Sequence, residues 1–405
     1  MGAEIPMVCA ALTKLAQSDV HTGAYGMVFA IALVIESPII MLLTASTALS
    51  RDWSSYQKLH RLMTVSSIAL TFLHILIAFT PLYDWLAVQV IKAPADIIEP
   101  GRIGLQIMIP WTWAIAHRRF HQGVLIRFGK ASAVGWGTGI RLVADAIVLV
   151  AGVLIEKYAG IVVAATAIAI GVIIEALYIR WKTHAVVQGP LRDAQGPALT
   201  MREVILFYLP IAFAPTIGLL GQPILTGGLS RLPDPMLTLA VWPTINSLIF
   251  MLRSAGIAYT EVVVALLDKP NAHRQLLNFT AILSLVLSLP LLALITTPLT
   301  DLWFTQVIGL RVELAQIGKA SLWFALLHPA ITTWACYFEG RLIHAKRSNP
   351  VTEAVLFYTL SLFIFISIIT AQQSMPGLNA AVLAMTIGGI LQMSWLWIRC
   401  RALGA

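Results

Sequence analysis

The sequence predicts an all-α polytopic membrane protein with about 12 transmembrane helices in two parallel lobes of six. Composition is the first observation behind this prediction, and an internal repeat is the second. Of the 405 residues, 58% are hydrophobic and only 11% are charged, whereas a soluble domain carries about 25% charged residues. An ordinary globular protein is therefore excluded, and most of the chain is expected to lie within a bilayer.

Apolar segments follow one another along the chain with short linkers and no soluble domain between them. A helix of about 20 apolar residues spans the hydrocarbon core, and every segment except the first reaches that length. Numbered helix 1 to helix 12 in chain order, they cover residues 1–18, 24–50, 60–80, 103–126, 131–155, 159–181, 203–229, 237–267, 275–297, 312–340, 350–371 and 376–398.

Lysine and arginine are concentrated on alternate loops. One side holds Arg51, Lys58, Arg61, Arg118, Arg119, Arg127, Lys130, Arg180, Lys182, Arg192, Arg202, Lys269, Arg274, Arg341, Lys346, Arg347, Arg399 and Arg401. The other side holds only Lys14, Lys92, Arg102, Lys157, Arg231, Arg311 and Lys319. Basic loops stay in the cytoplasm, so the sequence predicts an inner-membrane protein with both termini cytoplasmic.

The two halves of the chain repeat with a constant offset, which is the spacing from Gly123 to Gly340. Gly123-Val-Leu-Ile matches Gly340-Arg-Leu-Ile, and Gly171-Val-Ile-Ile-Glu matches Gly388-Gly-Ile-Leu-Gln at the same spacing. An offset held without net gaps across six helices is a stronger signal of duplication than the few identical residues. Each repeat has an even number of helices, so both insert the same way up and form parallel lobes.

The repeat also sets the expected domain boundaries. We predict an N-terminal lobe over 1–190, a cytoplasmic linker over 191–202 and a C-terminal lobe over 203–405. Helix 7 begins near Glu203, whose counterpart would lie about fourteen residues before Met1. Helix 1 is therefore expected to be truncated at its N-terminal end, and the true start of the protein to lie upstream.

Two opposite charges occupy equivalent depths in the two halves. Arg253 lies near the middle of the segment 237–267, and Glu36 holds the matching position in 24–50. A charge at this depth costs several kcal/mol without a partner or water, and it marks a site by default. We predict that Arg253, Glu36 and Asn246, which shares the helical face of Arg253, bind substrate in a polar cavity. A permanent ion pair of Glu36 with Arg253 is the alternative.

Other buried charges are candidates for a coupling or protonation role. With Glu36, these are Glu261 near the cytoplasmic end of helix 8, Asp145 on helix 5 and Glu175 on helix 6. Arg141 and Asp145 have the i, i+4 spacing of an intrahelical salt bridge, which makes a structural ion pair the favoured interpretation there. Glu175 is expected to neutralise Arg141 from the neighbouring helix.

Several classes of site have no support in the sequence. The three cysteines are widely spaced, and no His or carboxylate lies at metal-ligand spacing from His74 or His328, so we expect interior hydrogen-bonded histidines and no metal site. There is no G-x-x-x-x-G-K-[ST] loop and no H-E-x-x-H motif. We therefore expect neither ATP hydrolysis nor another enzymatic activity, and the positive loops are explained by topology rather than by nucleic acid.

The repeated glycine and basic cluster resembles a motif of the MOP exporter superfamily. Residues 118–130 read RRFHQGVLIRFGK and residues 337–347 read YFEGRLIHAKR, similar to the R-x-x-G-x-x-(K/R) turn of MATE-like proteins. The superfamily includes MATE multidrug exporters, lipid-linked oligosaccharide flippases and progressive ankylosis transporters. The resemblance implies a central cavity lined by helices 1, 2, 7 and 8. Many cation-coupled members carry an aspartate in helix 1, and this chain has no acidic residue in the remaining core of that helix.

These observations predict an alternating-access transporter that exports or flips a cargo with an anionic group. An ion gradient, of H⁺ or Na⁺, or the cargo's own gradient is expected to drive it, without a bound cofactor. The alternatives are cation-coupled multidrug efflux, flipping of a lipid-linked glycan, or export of a small polyanion resembling pyrophosphate or citrate. From other classes, a membrane-embedded lipid-modifying enzyme or a non-transporting scaffold remains open. We expect a monomer whose partners are a small-molecule or lipid-linked substrate and membrane lipids.

Overall fold

The computed structural model describes residues 4–91, 93–196, 199–307 and 312–402. Lys92 and Arg311, which were counted on the outer side, lie outside the described residues, as do residues 197–198 of the predicted linker. Contacts between Cα atoms divide the chain into unit 1, Met1–Ala212, and unit 2, Phe213–Ala405. The described residues contain helices and connecting turns but no strand.

Unit 1 begins with a short helix that is followed by long apolar ones. The helices are α1 (Glu4–Leu12), α2 (Ser18–Ile40), α3 (Leu42–Leu49), α4 (Trp53–Phe79), α5 (Leu82–Asp84), α6 (Ala95–Ile107), α7 (Ile109–Arg127), α8 (Ala131–Ile155), α9 (Gly160–Gln188) and α10 (Pro190–Asp193). A π-helical turn, Trp85–Ile91, follows α5. Helix α11 (Met201–Leu219) begins in unit 1 and ends in unit 2.

Unit 2 repeats this succession, except that one continuous helix, Pro235–Leu266, stands where unit 1 has α2 and α3. Its helices are α12 (Gly221–Leu229), α13 (Pro235–Leu266), α14 (Ala272–Thr296), α15 (Leu299–Asp301), α16 (Val312–Ala325), α17 (His328–His344), α18 (Asn349–Gln372) and α19 (Gly377–Arg401). A π-helical turn, Leu302–Val307, follows α15. The constant offset predicted from the sequence is confirmed at the helix boundaries: α1 and α12, α2 and α13, α5 and α15, and α9 and α19 all begin at that same spacing.

The repeat extends to the backbone of individual turns. Three pairs of residues at the repeat spacing adopt left-handed backbone conformations: Gln17 and Asp234, Glu156 and Gln373, and Gly129 and Lys346. In the last pair the turn is the same Schellman motif, because the amide of Lys130 donates to Leu125 O and that of Arg347 donates to Leu342 O, both at 2.8 Å. The two halves therefore share local structure that their side chains barely reveal.

Nine helices in the described part of the chain are long and apolar enough to cross a membrane. The predicted count of about 12 is not confirmed, because three expected spans are not both long enough and apolar enough. Helix α1 has only nine residues. The fourth span is broken at Met108 between α6 and α7, and the tenth is broken between α16 and α17. In both, a proline stands in the first turn of the second helix, where its missing N–H costs nothing.

Burial separates the helices into an inner and an outer set. The apolar window of α9 is 67% buried, whereas those of α8 and α14 are each only 22% buried. Large apolar side chains such as Phe72 on α4 and Leu154 on α8 are exposed. Such a surface is stable against acyl chains but not in water. The chain is therefore an integral membrane protein, and the buried sides of its helices hold the polar groups described next.

Candidate functional site

In unit 2, Arg253 on α13 is held by an uncharged partner. Its Nη1 donates to His328 Nε2 on α17 at 2.8 Å. A guanidinium has donors only, so His328 accepts with Nε2 and is neutral in this contact. No carboxylate forms an ion pair with Arg253 among the described residues, and its Nε is buried without a hydrogen-bond partner there. The positive charge of Arg253 is therefore not neutralised within unit 2.

Two consecutive glycines of α19 make room for the neighbours of Arg253. A Cβ at Gly389 would lie 3.7 Å from His328 Cε1, and one at Gly388 would lie 3.0 Å from the ring of Tyr358. The Tyr358 hydroxyl on α18 lies near the guanidinium. Gly388 thus lets the Tyr358 ring pack closely against α19, whereas the His328 ring makes an ordinary van der Waals contact at Gly389.

The remaining predicted residues of unit 2 lie farther along α13. Asn246 is half-buried two turns before Arg253, but it does not form a hydrogen bond with it. Glu261 is half-buried two turns after Arg253 and lies close to Glu339 of α17. Glu339 was not singled out in the sequence. Helix α13 thus carries a cation at its centre and one acidic residue, Glu261, toward its C-terminal end, beside Glu339 of α17.

In unit 1, Glu175 on α9 is the acceptor of a buried network. Its carboxylate receives bonds from Arg118 Nη1 and Gln122 Nε2, each at 3.0 Å. Thr138 Oγ1 donates at 3.4 Å, and Arg141 Nη1 lies 3.4 Å away. Glu175 is completely buried, so burying its charge depends on these donors. The expected neutralisation of Arg141 by Glu175 is confirmed.

Arg141 links α8 to α1 as well as to α9. Its Nη2 donates to Glu4 Oε2 at 3.2 Å, and both side chains are buried. The intrahelical ion pair predicted between Arg141 and Asp145 does not form in the described structure. The long Arg141 side chain instead pairs with Glu4 on α1 and Glu175 on α9. The shorter Asp145 side chain packs against α9.

Asp145 packs directly onto the backbone of α9. A Cβ at Gly171 would overlap Asp145 Oδ1, so only glycine allows this approach. Asp145 is completely buried, and neither carboxylate oxygen has a hydrogen-bond partner among the described residues. A buried carboxyl without donors is costly in its charged form, and this makes Asp145 a site where a cation or proton would be favoured.

Glu36 is in the same condition on α2. It is completely buried, and both carboxylate oxygens lack a hydrogen-bond partner within the described ranges. The positive groups nearest to it are Arg118 and Arg119 of α7. Pro38 follows two residues later, and the helix breaks at Met41. Glu36 thus lies within two turns of a break in its helix.

Sequence reasoning missed or misplaced part of the unit 1 network. Glu4 lies in the first turn of α1 and is buried, and it was not singled out in the sequence. Applying to 1–18 the criterion that selected Glu36 would have found it. Arg118 was assigned to a loop as a topology signal, but it lies inside α7 and is only 4% exposed. Tyr358 lies at the repeat spacing from Arg141, so the internal repeat could have identified it as a candidate.

The histidines singled out in the sequence are both interior. His74 contacts Thr112 Oγ1 at 2.8 Å and Leu105 O at 2.9 Å, as expected for a hydrogen-bonded core histidine. His328 is the partner of Arg253. Among the described residues, no group of three His, Cys, Asp or Glu side chains is placed to hold a metal ion.

Three solved structures show which fold these elements build. An outward-facing multidrug resistance MATE family transporter of the MOP superfamily matches with a TM-score of 0.76 at 16% identity, over 100% of this chain and 94% of its own. An inward-facing multidrug resistance MATE family transporter matches with a TM-score of 0.65 at 14% identity, over 100% of this chain and 95% of its own. A MOP superfamily transporter from Pyrococcus furiosus, described as having a binding pocket of reverse polarity, matches with 0.74 at 16%, over 100% and 95%.

No family model and no curated protein matches the sequence. At 14–17% identity the structural likeness establishes the architecture. The chain therefore has the fold of MATE transporters of the MOP superfamily, over its whole length.

Proposed function

We propose that this protein is an alternating-access transporter that exports or flips a cargo with an anionic group, and that Arg253 binds that group. The observation that carries the proposal is the contact of Arg253 with the neutral acceptor His328 in place of a carboxylate. A guanidinium remains charged at any physiological pH. An uncompensated charge at membrane depth is favourable only when water or an anion reaches it.

The geometry around Arg253 also favours an oxyanion over a simple halide. One Nη atom is engaged by His328, and the buried Nε is without a partner among the described residues. Guanidinium N–H groups match carboxylate and phosphate oxygens in a bidentate fork. His328 fixes the orientation of that fork, while Asn246 can donate a further hydrogen bond two turns along the same face.

Buried carboxyl groups supply candidates for the coupling step. Glu36 and Asp145 have no donors around their oxygens in the described part of the chain, so uptake of H⁺ or Na⁺ would change their free energy strongly. Glu175 is already bonded by several donors, and it is better suited to a structural role. Glu261 remains a candidate on the unit 2 side. A cation gradient would then drive transport through different affinities in the two conformations.

Solved relatives of this fold support the conformational part of the proposal. MATE family transporters have been captured in outward-facing and inward-facing conformations. The Pyrococcus transporter is described as having a pocket of reverse polarity that suggests a different function. An uncompensated cation in unit 2 favours an anionic cargo for this chain over the cationic drugs of multidrug efflux. Lipid-linked glycans and small polyanions both fit this chemistry.

The proposal includes the setting of the protein. The distribution of Lys and Arg supports an inner-membrane location with both termini in the cytoplasm. We take the chain to act as a monomer with membrane lipids as its neighbours. A lipid-modifying enzyme would need carboxylates clustered at an interface, and a scaffold would need its buried charges paired. Arg253 and Glu36 do not fit the second condition.

Transport in reconstituted vesicles tests the proposal. Purified protein would be placed in proteoliposomes and offered radiolabelled pyrophosphate, citrate, a fluorescent phospholipid-linked sugar and ethidium, each with an H⁺ or Na⁺ gradient. We expect movement of at least one anionic cargo but not of ethidium. Arg253→Gln should reduce the rate at least about tenfold, because loss of a charged hydrogen-bond donor costs about 1.5–3 kcal/mol.

The control is Arg274→Gln, which removes an exposed arginine of α14 and should leave the rate unchanged. Glu36→Gln should abolish the response to the gradient while leaving cargo binding intact. If Arg253→Gln transports every anion as fast as the parent, the anchor is wrongly assigned. If only ethidium moves, the chain is a multidrug exporter.

A further inference from the structure

Three histidines form a cluster on α4 and α7 that the transport proposal does not use. The rings of His117 and His121, one turn apart on α7, have centroids 6.2 Å apart. His60 of α4 lies 6.4 Å from His121. The cluster occupies the half of unit 1 near the C-terminal end of α7, which is the side predicted to be cytoplasmic.

The nitrogen atoms of this cluster are incompletely bonded. His121 is only 5% exposed, and Nδ1 of both His117 and His121 is buried without a hydrogen-bond partner in the described structure. A buried ring nitrogen normally binds a backbone or side-chain group, as His74 does. Two unsatisfied nitrogens on adjacent turns indicate that these rings bind a ligand.

The internal repeat shows that packing does not require imidazoles at these positions. The counterparts in the second half of the repeat are Leu277, Trp334 and Phe338. Trp334 and Phe338 fill the equivalent seam of unit 2 as an aromatic pair with centroids 5.9 Å apart. The same backbone thus accepts apolar side chains in one unit and three titratable rings in the other. The two units therefore differ at these positions in the presence of titratable groups.

The surroundings of the rings favour a mobile cation over a fixed one. The ring centroid of Phe120 lies 5.0 Å from that of His121 and 5.6 Å from that of His60. The rings of Trp113 and His117 are tilted, with centroids 4.3 Å apart. Aromatic rings stabilise a cation without neutralising it. No carboxylate is paired with any of the three rings within the described ranges, so nothing there would hold a proton permanently.

The other groups facing the cluster limit its charge. The positive charge of Arg180 on α9 opposes protonation of all three rings. The ring centroids of Tyr56 on α4 and His60 are 5.9 Å apart. Helix α3 contributes only the hydroxyls of Ser46 and Thr47, which bond to the backbone of α7. Like charges within about 6 Å oppose each other strongly in a buried site. A second proton in the cluster is therefore disfavoured once one ring is protonated.

We propose that His60, His117 and His121 form a proton-binding site that takes up a single proton from the side of the membrane on which α7 ends. The described structure does not place these residues as metal ligands. Centroid separations of 6.2 and 6.4 Å allow no direct hydrogen bond between the rings, so the proton resides on one ring at a time. Because burial disfavours a charged ring, the bound proton favours any conformation that lets water into the seam between α4 and α7. Proton uptake is thereby linked to a change of conformation.

Counting protons tests the proposal. The triple variant His60→Leu, His117→Trp, His121→Phe carries the residues that unit 2 has at these positions. Parent and variant would be titrated side by side in detergent between about pH 8 and 5, the range in which histidine titrates. The difference cancels every carboxyl group, and we expect the parent to take up one proton more per chain. A difference of zero, or of three, overturns the shared site.

A second readout locates the proton. In protein labelled with 5-fluorotryptophan, the ¹⁹F resonance of Trp113 should shift with pH, since its ring lies 4.3 Å from His117. The resonance of Trp334, which contacts Tyr337 and Phe338, should stay constant. His184→Gln, at an exposed position of α9, should leave both unchanged. An immobile Trp113 resonance contradicts the proposal.

Added Zn²⁺ distinguishes a metal site from a proton site. Stoichiometric binding by the parent that is lost in the triple variant would replace the proton by a metal ion and overturn the proposal. The variant should fold, because Trp334 and Phe338 already pack together at the equivalent positions of unit 2 and the unit 2 chain carries Leu277 at the third. Its thermal midpoint at pH 8 should match that of the parent. These measurements need no cargo, so their outcome is separate from that of the transport test.

Discussion

At the scale of single residues, unit 1 and unit 2 treat buried charge differently. Glu175 forms ion pairs with Arg118 and Arg141 within unit 1, whereas among the described residues of unit 2 Arg253 contacts the neutral side chains of His328 and Tyr358 and no carboxylate. A buried ion paired with an opposite charge supports the fold, and one without an opposite charge is available to a ligand. The assignment of structural and binding roles depends on this contrast.

Removing the charge of Glu175 should destabilise the protein strongly. Glu175→Gln leaves Arg118 and Arg141 buried with less compensation, and we expect the free energy of unfolding to fall by about 3 kcal/mol or more. Denaturant unfolding in detergent measures it. The control is Glu353→Gln, whose carboxylate is 37% exposed and 3.6 Å from Arg399. This surface pair should contribute less than about 1 kcal/mol. Equal losses in the two variants would show that the buried network is not structural.

The contact of Asp145 with Gly171 gives a second prediction at this scale. Gly171→Ala places a methyl group against Asp145 Oδ1, so α8 and α9 must separate, and we expect a loss of about 1–3 kcal/mol. The matched control is Gly139→Ala on α8, where a Cβ meets nothing within 4 Å. That change should stabilise the helix by up to about 1 kcal/mol. Asp145→Ala combined with Gly171→Ala should recover most of the loss; no recovery would show that the carboxyl group is not the obstacle.

At the scale of elements, the repeated turn after α7 and α17 shows how much a motif reveals. Gly123 and Gly340 are both glycines because a neighbouring helix crosses there: a Cβ would overlap Leu43 O at the first and would lie 2.7 Å from Val263 Cβ at the second. The turn that follows needs one residue with a positive φ. Unit 1 uses Gly129 there, and unit 2 uses a lysine.

This difference predicts opposite effects of substitution at the two turns. Lys346 has a φ of 59°, which costs a residue with a Cβ about 1 kcal/mol. Lys346→Gly should therefore stabilise the protein, and Gly129→Ala should destabilise it by a similar amount, since no atom lies within 4 Å of the added methyl group. Thermal unfolding of both variants measures the effects. A destabilising Lys346→Gly would mean that the lysine side chain contributes more than the backbone conformation costs.

Sequence patterns predicted the helices better than the contacts of the buried side chains between them. Hydropathy and the constant repeat offset were sufficient to place the long helices, because apolar runs and duplicated boundaries are properties of the chain itself. The same approach put Arg118 in a loop, since a basic residue near a turn reads as a topology signal whether it faces water or Glu175. It also paired Arg141 with Asp145, because spacing along one helix carries no information about Glu4 on another.

At the scale of the whole molecule, the fold places two kinds of buried groups in one chain. Within the described residues, unit 1 holds the unpartnered carboxyl groups of Glu36 and Asp145 and the histidine cluster, and unit 2 holds the uncompensated Arg253. In a chain with the fold of MATE transporters, we propose that this arrangement divides cation coupling from cargo binding. Glu36 and Arg253 occupy matched positions of the repeat and carry opposite charges.

The central claim is that water and anions reach Arg253 from each side of the membrane in turn, and cysteine labelling tests it most directly. Asn246→Cys in a background lacking Cys9, Cys336 and Cys400 places a thiol two turns from Arg253 on the same face. In oriented vesicles, we predict that membrane-impermeant thiosulfonates label it from either side, and that an anionic reagent reacts several times faster than a cationic one. Arg253→Gln should abolish that preference. A thiol that reacts from neither side, or that prefers the cationic reagent, would contradict the account.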